Sequence, residues 1–312
     1  MSFEQMNSLA KKRTPFLFIT DFKAQNIQVF TLEELPKNDI EFCIDENYKL
    51  NKHQHFLQTT PLNFKNYKEK FDKIIKKIES GETYILNLTA QTPIQTQLNL
   101  KEMYTLANAR YKLRFKDDFI CFSPETFIKI SENTIHTFPM KGTIDAGLKN
   151  AEAKILSDEK EIAEHIMIVD LLRNDLSIVA RDVKVEAFRK VLSINAGDKE
   201  LLQINSHISG KLDVNWHENI GTILQSLLPA GSISGAPKKS TVSIIEAVEG
   251  YNRGYFSGVF GVYDGKSLQS GVMIRFIEKT EQGFVYKSGG GITLDSDVFS
   301  EYKELQDKIY LP

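Results

Sequence analysis

The sequence predicts an α+β fold in which antiparallel strands cluster and helices lie outside them. Between residues 255 and 288 three strand-like runs follow one another through short turns, an order typical of antiparallel pairing rather than of a βαβ repeat. Amphipathic helical segments flank the strand-rich parts, and no repeat of about 20–50 residues is visible. The composition, with 41% hydrophobic and 26% charged residues among 312, is that of a globular protein.

Hydrophobic periodicity and turn residues predict the individual elements. Apolar residues recur at helical spacing from Phe64 to Ile78, and Gly81 follows as a stop signal, which predicts an amphipathic helix. Further helices are expected at 100–109, 150–170, 220–228, 239–248 and 296–309. Strands are expected at 16–19, 27–30, 84–89, 119–122, 127–130, 134–137, 255–263, 268–277 and 283–288.

The character of the sequence changes near residue 60. The first part holds two short strand candidates and then a polar stretch, residues 38–55, without clean periodicity. We therefore expect a short N-terminal region, residues 1–60, packed on one large domain formed by residues 61–312.

Charge and cysteine usage exclude several classes of partner. The formal net charge is −2, so a whole-chain field that attracts nucleic acid or an anionic membrane is not expected. Two cysteines, Cys43 and Cys121, are too few for a disulfide framework, and their spacing is not that of a zinc site. We therefore expect buried thiols in a reducing compartment. The apolar run Phe16–Ile19 is too short for a signal peptide or a membrane span, which predicts a cytoplasmic protein.

Glycine-rich segments do not predict a nucleotide site. A Walker loop needs a second glycine five residues after the first, directly before its lysine. In Gly231-Ser-Ile-Ser-Gly-Ala-Pro-Lys238 that position, 236, is alanine. Gly254, Gly258 and Gly261 do not form a dinucleotide-binding motif either. They lie in a strand-like run, where glycine indicates close approach of another backbone.

Two pairs of glutamates have the spacing i, i+3 on predicted helices. They are Glu161 with Glu164, and Glu301 with Glu304. Both carboxylates of such a pair project from one helical face. Acidic pairs are also common on solvated helix surfaces, and this alternative stays open here. Two such helices facing each other would offer four carboxylates to a hard divalent cation such as Mg²⁺.

Lys141 lies between Pro139 and Gly142, residues that restrict the backbone around it. A lysine in a partly desolvated pocket can have a depressed pKa and act as a nucleophile. By spacing alone, an exposed loop lysine is the better interpretation.

Five motifs follow one another in the order found in a known family. They are Ser123-Pro-Glu125; Pro139-Met-Lys-Gly-Thr143; Glu161-x-x-Glu164-His165 with Asp170-Leu-Leu-Arg-Asn-Asp175; Gly231 to Lys238 with Glu249 and Arg253-Gly-Tyr255-x-x-Gly258; and Gly289-Gly-Gly-Ile-Thr-x-Asp-Ser-Asp297 with Glu301, Glu304 and Lys308. In these motifs the sequence resembles the chorismate-utilising enzymes, among them anthranilate, aminodeoxychorismate, isochorismate and salicylate synthases. The resemblance covers about residues 64–312.

The resemblance implies stacked antiparallel sheets between helices, with chorismate and Mg²⁺ in a cleft of a catalytic domain, residues 61–312. By position in the motifs, the four glutamates match the magnesium ligands of the family. The residues that match its substrate-binding positions are Gly142, Thr143, Tyr255, Arg275, Gly289, Gly290, Gly291 and Lys308. For the segment 170–175 we keep a structural interpretation, in which Arg173 and Asp175 pair and fix a helix end.

Lysine before Gly-Thr is typical of the members that aminate chorismate at C4 with ammonia. By the resemblance, Lys141 is the covalent nucleophile that attacks C2, and Glu125 is the general acid that assists the leaving C4 hydroxyl. The product would be 4-amino-4-deoxychorismate, for 4-aminobenzoate and folate synthesis.

Two positions bear on the choice among family members. Ile85 stands where water-adding members have a lysine base, and Gln203 stands where anthranilate synthases have a histidine that matters for pyruvate elimination. Ile85 favours ammonia over water as the nucleophile, and Gln203 points away from the pyruvate elimination of an anthranilate synthase. An anthranilate synthase component I and a non-catalytic, chorismate-binding regulatory paralogue remain as alternatives.

The resemblance also implies partners. Neither cysteine lies in a Gly-x-Cys-x-Gly setting, so we expect a separate glutamine amidotransferase subunit to deliver ammonia. Because the sequence ends at Pro312 directly after the last motif, we expect a separate downstream lyase.

Overall fold

The structure is a computed structural model that describes residues 2–44, 57–195 and 200–312. Most of the polar stretch 38–55 therefore lies outside the described residues. Two large sheets with helices around them form the described part, and every pairing between its strands is antiparallel. The predicted α+β class is thus confirmed.

The helices and strands have the following bounds. The α-helices are α1 Phe3–Lys11, α2 Phe64–Glu79, α3 Leu100–Leu106, α4 Ala151–Ser157, α5 Glu159–Val179, α6 Ile220–Leu227, α7 Gly231–Ser234, α8 Lys238–Glu249 and α9 Val298–Asp307. The strands are β1 Phe16–Thr20, β2 Ile27–Thr31, β3 Ile40–Ile44, β4 Gln58–Thr59, β5 Ile85–Gln95, β6 Tyr111–Phe115, β7 Phe119–Ser123, β8 Thr126–Ser131, β9 Thr134–Thr137, β10 Met140–Asp145, β11 Arg181–Asn195, β12 Glu200–Lys211, β13 Gly235–Ala236, β14 Val259–Tyr263, β15 Leu268–Val272, β16 Phe276–Thr280 and β17 Gly283–Ile292.

The two sheets stack face to face. The first sheet has the order β10-β12-β9-β8-β15-β14-β1-β2, with β11 paired to β12. The second has the order β13-β5-β17-β16-β7-β6-β3, with β4 paired to β5. Tyr111 of the second sheet meets Phe260 of the first edge to face, with ring centroids 6.3 Å apart. A buried apolar cluster that includes Leu17, Leu113 and Phe276 fills the space between the sheets.

Helices cover the outer faces of the sheets. Helices α1, α5 and α6 pack on the first sheet, and α2, α8 and α9 pack on the second. The strands β1 and β2 extend the first sheet beside β14, and β3 lies at one edge of the second sheet. The N-terminal residues are therefore hydrogen-bonded into both sheets.

Several elements differ from the predictions. The predicted helix 150–170 is two helices, because Asp158 is extended and caps α5 by accepting a hydrogen bond from the Glu161 N–H. Helix α5 also runs on to Val179, through the segment 170–175. No prediction was made for α1, β3, β6, β11 or β12.

The strand predicted at 268–277 is also wrong as one element. It ends at Val272 as part of the first sheet, and a new strand begins at Phe276 in the second sheet. Between them Arg275 has a φ of +52°, which redirects the chain from one sheet to the other. This crossing places Arg275 where the two sheets meet.

The two cysteines are free thiols, Cys121 buried and Cys43 half-buried. Among the described helices, none combines the length and the low polarity needed to cross a membrane.

Gly258 and Gly261 do mark close backbone approach, whereas the prediction is wrong for Gly254, which has a φ of +60° and no backbone close to its Cβ position. A Cβ on Gly258 would lie 2.0 Å from the Thr20 carbonyl oxygen, and one on Gly261 would lie 2.6 Å from the Gln269 carbonyl oxygen.

Gly258→Ala is therefore expected to destabilise the fold by about 3 kcal/mol, because backbone rather than a flexible side chain must move. Urea unfolding measures this as a lower midpoint, with Gly147→Ala, which meets only the end of the Asp145 side chain, as the matched control. An unchanged midpoint in Gly258→Ala would contradict the packing argument.

Candidate active site

A cavity of about 260 Å³ opens where the two sheets meet α7 and α9. It receives residues from most of the motifs singled out in the sequence. Those that line it are Glu125, Lys141, Gly142, Thr143, Arg275, Gly289, Gly291, Glu304 and Lys308. Residues up to 223 positions apart in the chain, from Ile85 to Lys308, therefore line one cavity.

Lys141 is the residue whose placement decides most about this cavity. It lies on β10, its side chain is 26% exposed, and its Nζ donates a hydrogen bond to Glu164 Oε2 at 2.7 Å. The amine also lies 3.6 Å from the position that a Cβ on Gly291 would take. The lysine is thus a cavity residue held by a buried carboxylate, and the exposed-loop interpretation is wrong.

The charge state of Lys141 differs from the expectation. Burial alone would lower the pKa of Lys141, but the carboxylates of Glu164, Glu161 and Glu304 outweigh it and hold the pKa above its usual value. The expected depressed pKa is therefore wrong for this state of the protein, since the opposite charges win over desolvation. In this structure Lys141 is an ammonium ion among carboxylates.

The two glutamate pairs converge on the backbone around this ammonium. A Cβ on Gly142 would lie 3.2 Å from Glu161 Oε2, and one on Gly290 would lie 3.2 Å from Glu301 Oε2 and 3.7 Å from Glu304 Oε1. A Cβ at either position would press on a carboxylate, and Gly142 also has a φ of +74°, which favours glycine. Glu164 and Glu301 are buried and Glu161 is half-buried, whereas the Glu304 side chain is 52% exposed. The solvated-surface interpretation is therefore wrong for three of the four glutamates.

The donor set fits a divalent cation, although no metal-like geometry is preformed. Among the described residues, no three His, Cys, Asp or Glu side chains already stand at metal-ligand spacing. Glu161 Oε2, however, is buried without a hydrogen-bond partner. Burial, and then the charge of Glu164, raise the pKa of Glu161. An unsatisfied carboxylate oxygen beside like charges is an arrangement that a hard cation would relieve.

Glu125 stands on the wall of the same cavity. Its backbone is fixed on both sides, since its N–H donates to Ser123 Oγ at 3.1 Å and its carbonyl accepts from the Val272 N–H at 3.1 Å. The Ser232 hydroxyl donates a short hydrogen bond to Glu125 Oε1. Burial raises the pKa of Glu125 in spite of this bond and of the nearby cations. A carboxyl group with a raised pKa keeps its proton at higher pH, as a general acid requires.

Cations and open backbone surround the other end of the cavity. Arg275 lines it, and its Nε is buried without a partner. Lys308 Nζ donates to Glu304 Oε1 at 2.6 Å and to the Gly289 carbonyl at 2.8 Å. Residues Gly289–Gly291 pair with β5 on one side only, because β16 begins opposite Lys287. Among the described strands none pairs with their other edge, which adjoins the cavity and can take part in an anion cradle.

Five predicted site residues do not line the cavity. Glu161, Glu164, Gly290 and Glu301 lie next to it, whereas Tyr255 packs elsewhere. Its ring stacks on Phe119 with centroids 5.1 Å apart, and its hydroxyl accepts from Gln28 Nε2 at 3.4 Å. The turn before β14 points the next side chain, Phe256, toward the cavity instead. A phenyl ring has no hydroxyl, so it cannot give a carboxylate the hydrogen bond expected of Tyr255.

Both departures from the family pattern lie at the cavity. Ile85 lines it, with its Cδ1 3.6 Å from the position of a Cβ on Gly291. Ile85 and Lys141 therefore lie at equal distances from Gly291. Gln203 pairs with Thr143 across β12 and β10 and also lines the cavity. An aliphatic and an amide side chain thus stand where a base would otherwise be available.

The segment 170–175 is structural, but not in the way expected. Arg173 pairs with Asp170 at 3.2 Å, not with Asp175. Asp175 is buried and pairs with Lys238 Nζ at 2.9 Å. No helix end lies at this point, because α5 continues to Val179. Asp175 instead joins α5 to the loop that carries Ser232.

Sequence reasoning missed several further cavity residues, among them Asn87, Ser232, Phe256 and Lys287. Ser232 lies in the motif Gly231 to Lys238, between two of its glycines. A polar side chain at that place could have indicated a site residue. Lys287 directly precedes the Ser288 and glycine run, and its amine is buried between Glu278 and the Arg253 carbonyl. Neither spacing nor composition indicated this contact.

Known proteins resemble this chain along most of its length. The family model described as chorismate binding enzyme matches residues 21–311. A Haemophilus influenzae protein named "uncharacterized PabA-like protein" is 46% identical over 313 residues, which are 99% of this chain and 95% of the relative. The anthranilate synthase component 1 of Archaeoglobus fulgidus is 33% identical over 78% of this chain and 61% of its own length. The aminodeoxychorismate synthase component 1 of Bacillus subtilis is 31% identical over 80% of this chain and 55% of its own length.

Solved structures carry the same fold. The menaquinone-specific isochorismate synthase of Escherichia coli superposes with a TM-score of 0.72 over 98% of this chain and 79% of that chain, at 16% identity. At this identity the likeness concerns the fold alone. The family match over residues 21–311, nearly the whole sequence, establishes that the chain belongs to the chorismate binding enzyme family.

Proposed function

We propose that this protein catalyses the magnesium-dependent amination of chorismate with ammonia to 4-amino-4-deoxychorismate, as an aminodeoxychorismate synthase component I. One observation carries the proposal: Lys141 reaches into the cavity from β10, with the acid Glu125 on the wall of the same cavity. A nucleophile and an acid that share one cavity are what a substitution with a leaving hydroxyl needs.

The proposed reaction has two steps. Lys141 first releases one proton of its ammonium group to water, and the neutral Nζ then forms a bond to C2 of chorismate. The ring double bond moves, and the C4–O bond breaks as Glu125 gives its proton to the departing hydroxyl, which leaves as water. Ammonia then forms a bond to C4 while the C2–N bond to Lys141 breaks and its electron pair returns to Nζ, and the protons shed by the two nitrogens restore the acid form of Glu125. Arg275, with its unpartnered Nε, and Lys308 are the cations proposed to bind the substrate carboxylates.

Magnesium is part of the proposal. Glu161, Glu164, Glu301 and Glu304 would hold it, and the orphaned Glu161 Oε2 supports this assignment. A bound Mg²⁺ supplies positive charge that neutralises and orients a substrate carboxylate. The protein's own task at this place is to keep the four carboxylates together and to hold Lys141 beside them.

The proposal includes two protein partners. A glutamine amidotransferase subunit would deliver ammonia, and a separate lyase would convert the product to 4-aminobenzoate. Similarity to the aminodeoxychorismate synthase of Bacillus subtilis supports the first partner. Free ammonium should replace the amidotransferase in the test tube.

The deciding experiment incubates the purified protein with chorismate, Mg²⁺ and ammonium, and analyses the products by mass with and without an added aminodeoxychorismate lyase. We expect 4-aminobenzoate only when the lyase is present. Formation of anthranilate and pyruvate without lyase would reject the proposal in favour of an anthranilate synthase, the function of a relative that is 33% identical. Absence of turnover would favour a non-catalytic, chorismate-binding regulatory paralogue.

Lys141 and a metal ion should compete for the same carboxylate. We expect Lys141→Met to bind Mg²⁺ about tenfold more tightly than the wild type without substrate, because the ammonium that donates to Glu164 is lost. Isothermal titration calorimetry on chelator-treated protein measures this. Lys112→Met, which removes an amine bound to the carbonyls of Tyr104 and Ala107, is the control and should bind as the wild type does. Equal or weaker binding in Lys141→Met would show that the two cations do not compete.

A further inference from the structure

We infer that Ser232 is a positioning residue for Glu125, and that the motif Gly231 to Lys238 serves to hold this serine against the acid. The inference rests on the proposed function, because that function gives Glu125 its role as the acid. The two residues are 107 positions apart in the sequence. Their hydroxyl–carboxyl contact occurs at the cavity wall, which both residues line.

The first step of the argument is the contact itself. The Ser232 hydroxyl donates a hydrogen bond to Glu125 Oε1. Burial raises the pKa of Glu125, and this hydrogen bond lowers it by a smaller amount. The other charged groups that act on Glu125 are Lys141 on β10, Arg275 between β15 and β16, and Lys308 after α9. A hydrogen bond to one oxygen fixes the rotation of the carboxyl group and leaves the second oxygen for the leaving hydroxyl.

The second step is that the loop carrying Ser232 is fixed from several sides. A Cβ on Gly231 would lie 2.7 Å from Asp175 Oδ2, and the same carboxylate binds Lys238 Nζ at 2.9 Å. The Arg253 guanidinium donates to the Ile233 carbonyl at 3.1 Å. Gly235 pairs with β5, where a Cβ would lie 1.9 Å from the Ile85 carbonyl oxygen. These contacts explain why the motif needs glycines and a lysine although it binds no nucleotide in our interpretation.

The neighbouring serine makes a matched control. Ser234 lies on the same helical turn, but its hydroxyl donates to the Ala230 carbonyl and does not contact Glu125. Ser234→Ala and Ser232→Ala remove the same group from the same loop. Only the second removes a contact to the acid.

The test measures Glu125 directly and then the reaction. Infrared titration of the substrate-free protein follows the protonated carboxyl band of Glu125, which is assigned by its absence from Glu125→Gln. We expect this band in Ser232→Ala to persist to a pH about one unit higher than in the wild type, because a donor to the carboxylate is lost. Ser232→Thr, which keeps the hydroxyl, and Ser234→Ala should titrate as the wild type does.

Turnover gives the second readout. We expect Ser232→Ala to reduce kcat for ammonia-dependent amination of chorismate about tenfold, with the loss of activity at alkaline pH moved to higher pH. A reduced rate with an unmoved pH profile and an unmoved band would overturn the inference and leave Ser232 a structural residue. If the wild type does not aminate chorismate, the proposed function fails, and the infrared band still decides whether Ser232 holds Glu125.

Discussion

Lys141→Ala is expected to abolish ammonia-dependent turnover of chorismate, with kcat reduced by about 10⁴-fold or more. Loss of a covalent nucleophile removes the reaction path itself, which is why such substitutions have larger effects than the loss of a binding contact. Among the described residues no second amine takes the place of Lys141, and the cavity lysine Lys287 is bound to Glu278 and the Arg253 carbonyl. Lys308 also lines the cavity, but its Nζ is bound to Glu304 and to the Gly289 carbonyl.

The covalent adduct between Lys141 and chorismate can be detected by mass, without measuring a rate of turnover. Wild-type protein quenched with acid during turnover, or incubated with chorismate without ammonia, should gain the mass of chorismate less one water on Lys141. Peptide mapping should find this mass on the peptide that contains Lys141 and on no other. Lys112→Met should still form the adduct, since that lysine contacts backbone carbonyls outside the cavity. A Lys141→Ala protein that turns over at the wild-type rate would exclude an obligatory covalent step.

The sequence was most informative where side chains pack at regular spacing. The helical spacing from Phe64 to Ile78 predicts α2, whose Tyr67, Phe71 and Ile74 are buried in the structure. It was least informative where the strand pattern hides a change of sheet. The apolar run through Met273 and Ile274 reads as one strand, and only the backbone of Arg275 shows the crossing. Whether a strand ends is decided here by tertiary packing, which hydropathy does not contain.

The candidate site divides in the same way. Motif order brought Lys141, Glu125 and the glutamate pairs to attention, and all of them lie in or beside one cavity. The sequence did not predict which groups touch, because the contacts join residues far apart, such as Ser232 with Glu125. The charge state of Lys141 was missed for the same reason. A desolvated amine was expected to have a lowered pKa, and the nearby carboxylates reverse the direction.

The second large effect is expected for Glu125→Gln, with kcat for the amination of chorismate reduced by about 10²–10⁴-fold. Glutamine keeps the size of the side chain and can still bond to Ser232, but it cannot release a proton to the leaving hydroxyl. Ammonia-dependent product formation, measured by mass, reports the loss. Glu132→Gln, an exposed glutamate in the turn between β8 and β9, is the control and should keep the wild-type rate.

The pH dependence separates acid catalysis from simple packing. Burial raises the pKa of Glu125, so the protonated, competent form persists to higher pH than for an exposed glutamate. Wild-type kcat/KM should therefore fall as the pH rises through that raised pKa, because the folded protein then loses the proton that the reaction uses. In Glu125→Gln no such proton exists, and this alkaline loss should disappear from what activity remains. If the same alkaline loss persists in Glu125→Gln, it belongs to another group, and Glu125 does not supply the proton for the departing hydroxyl.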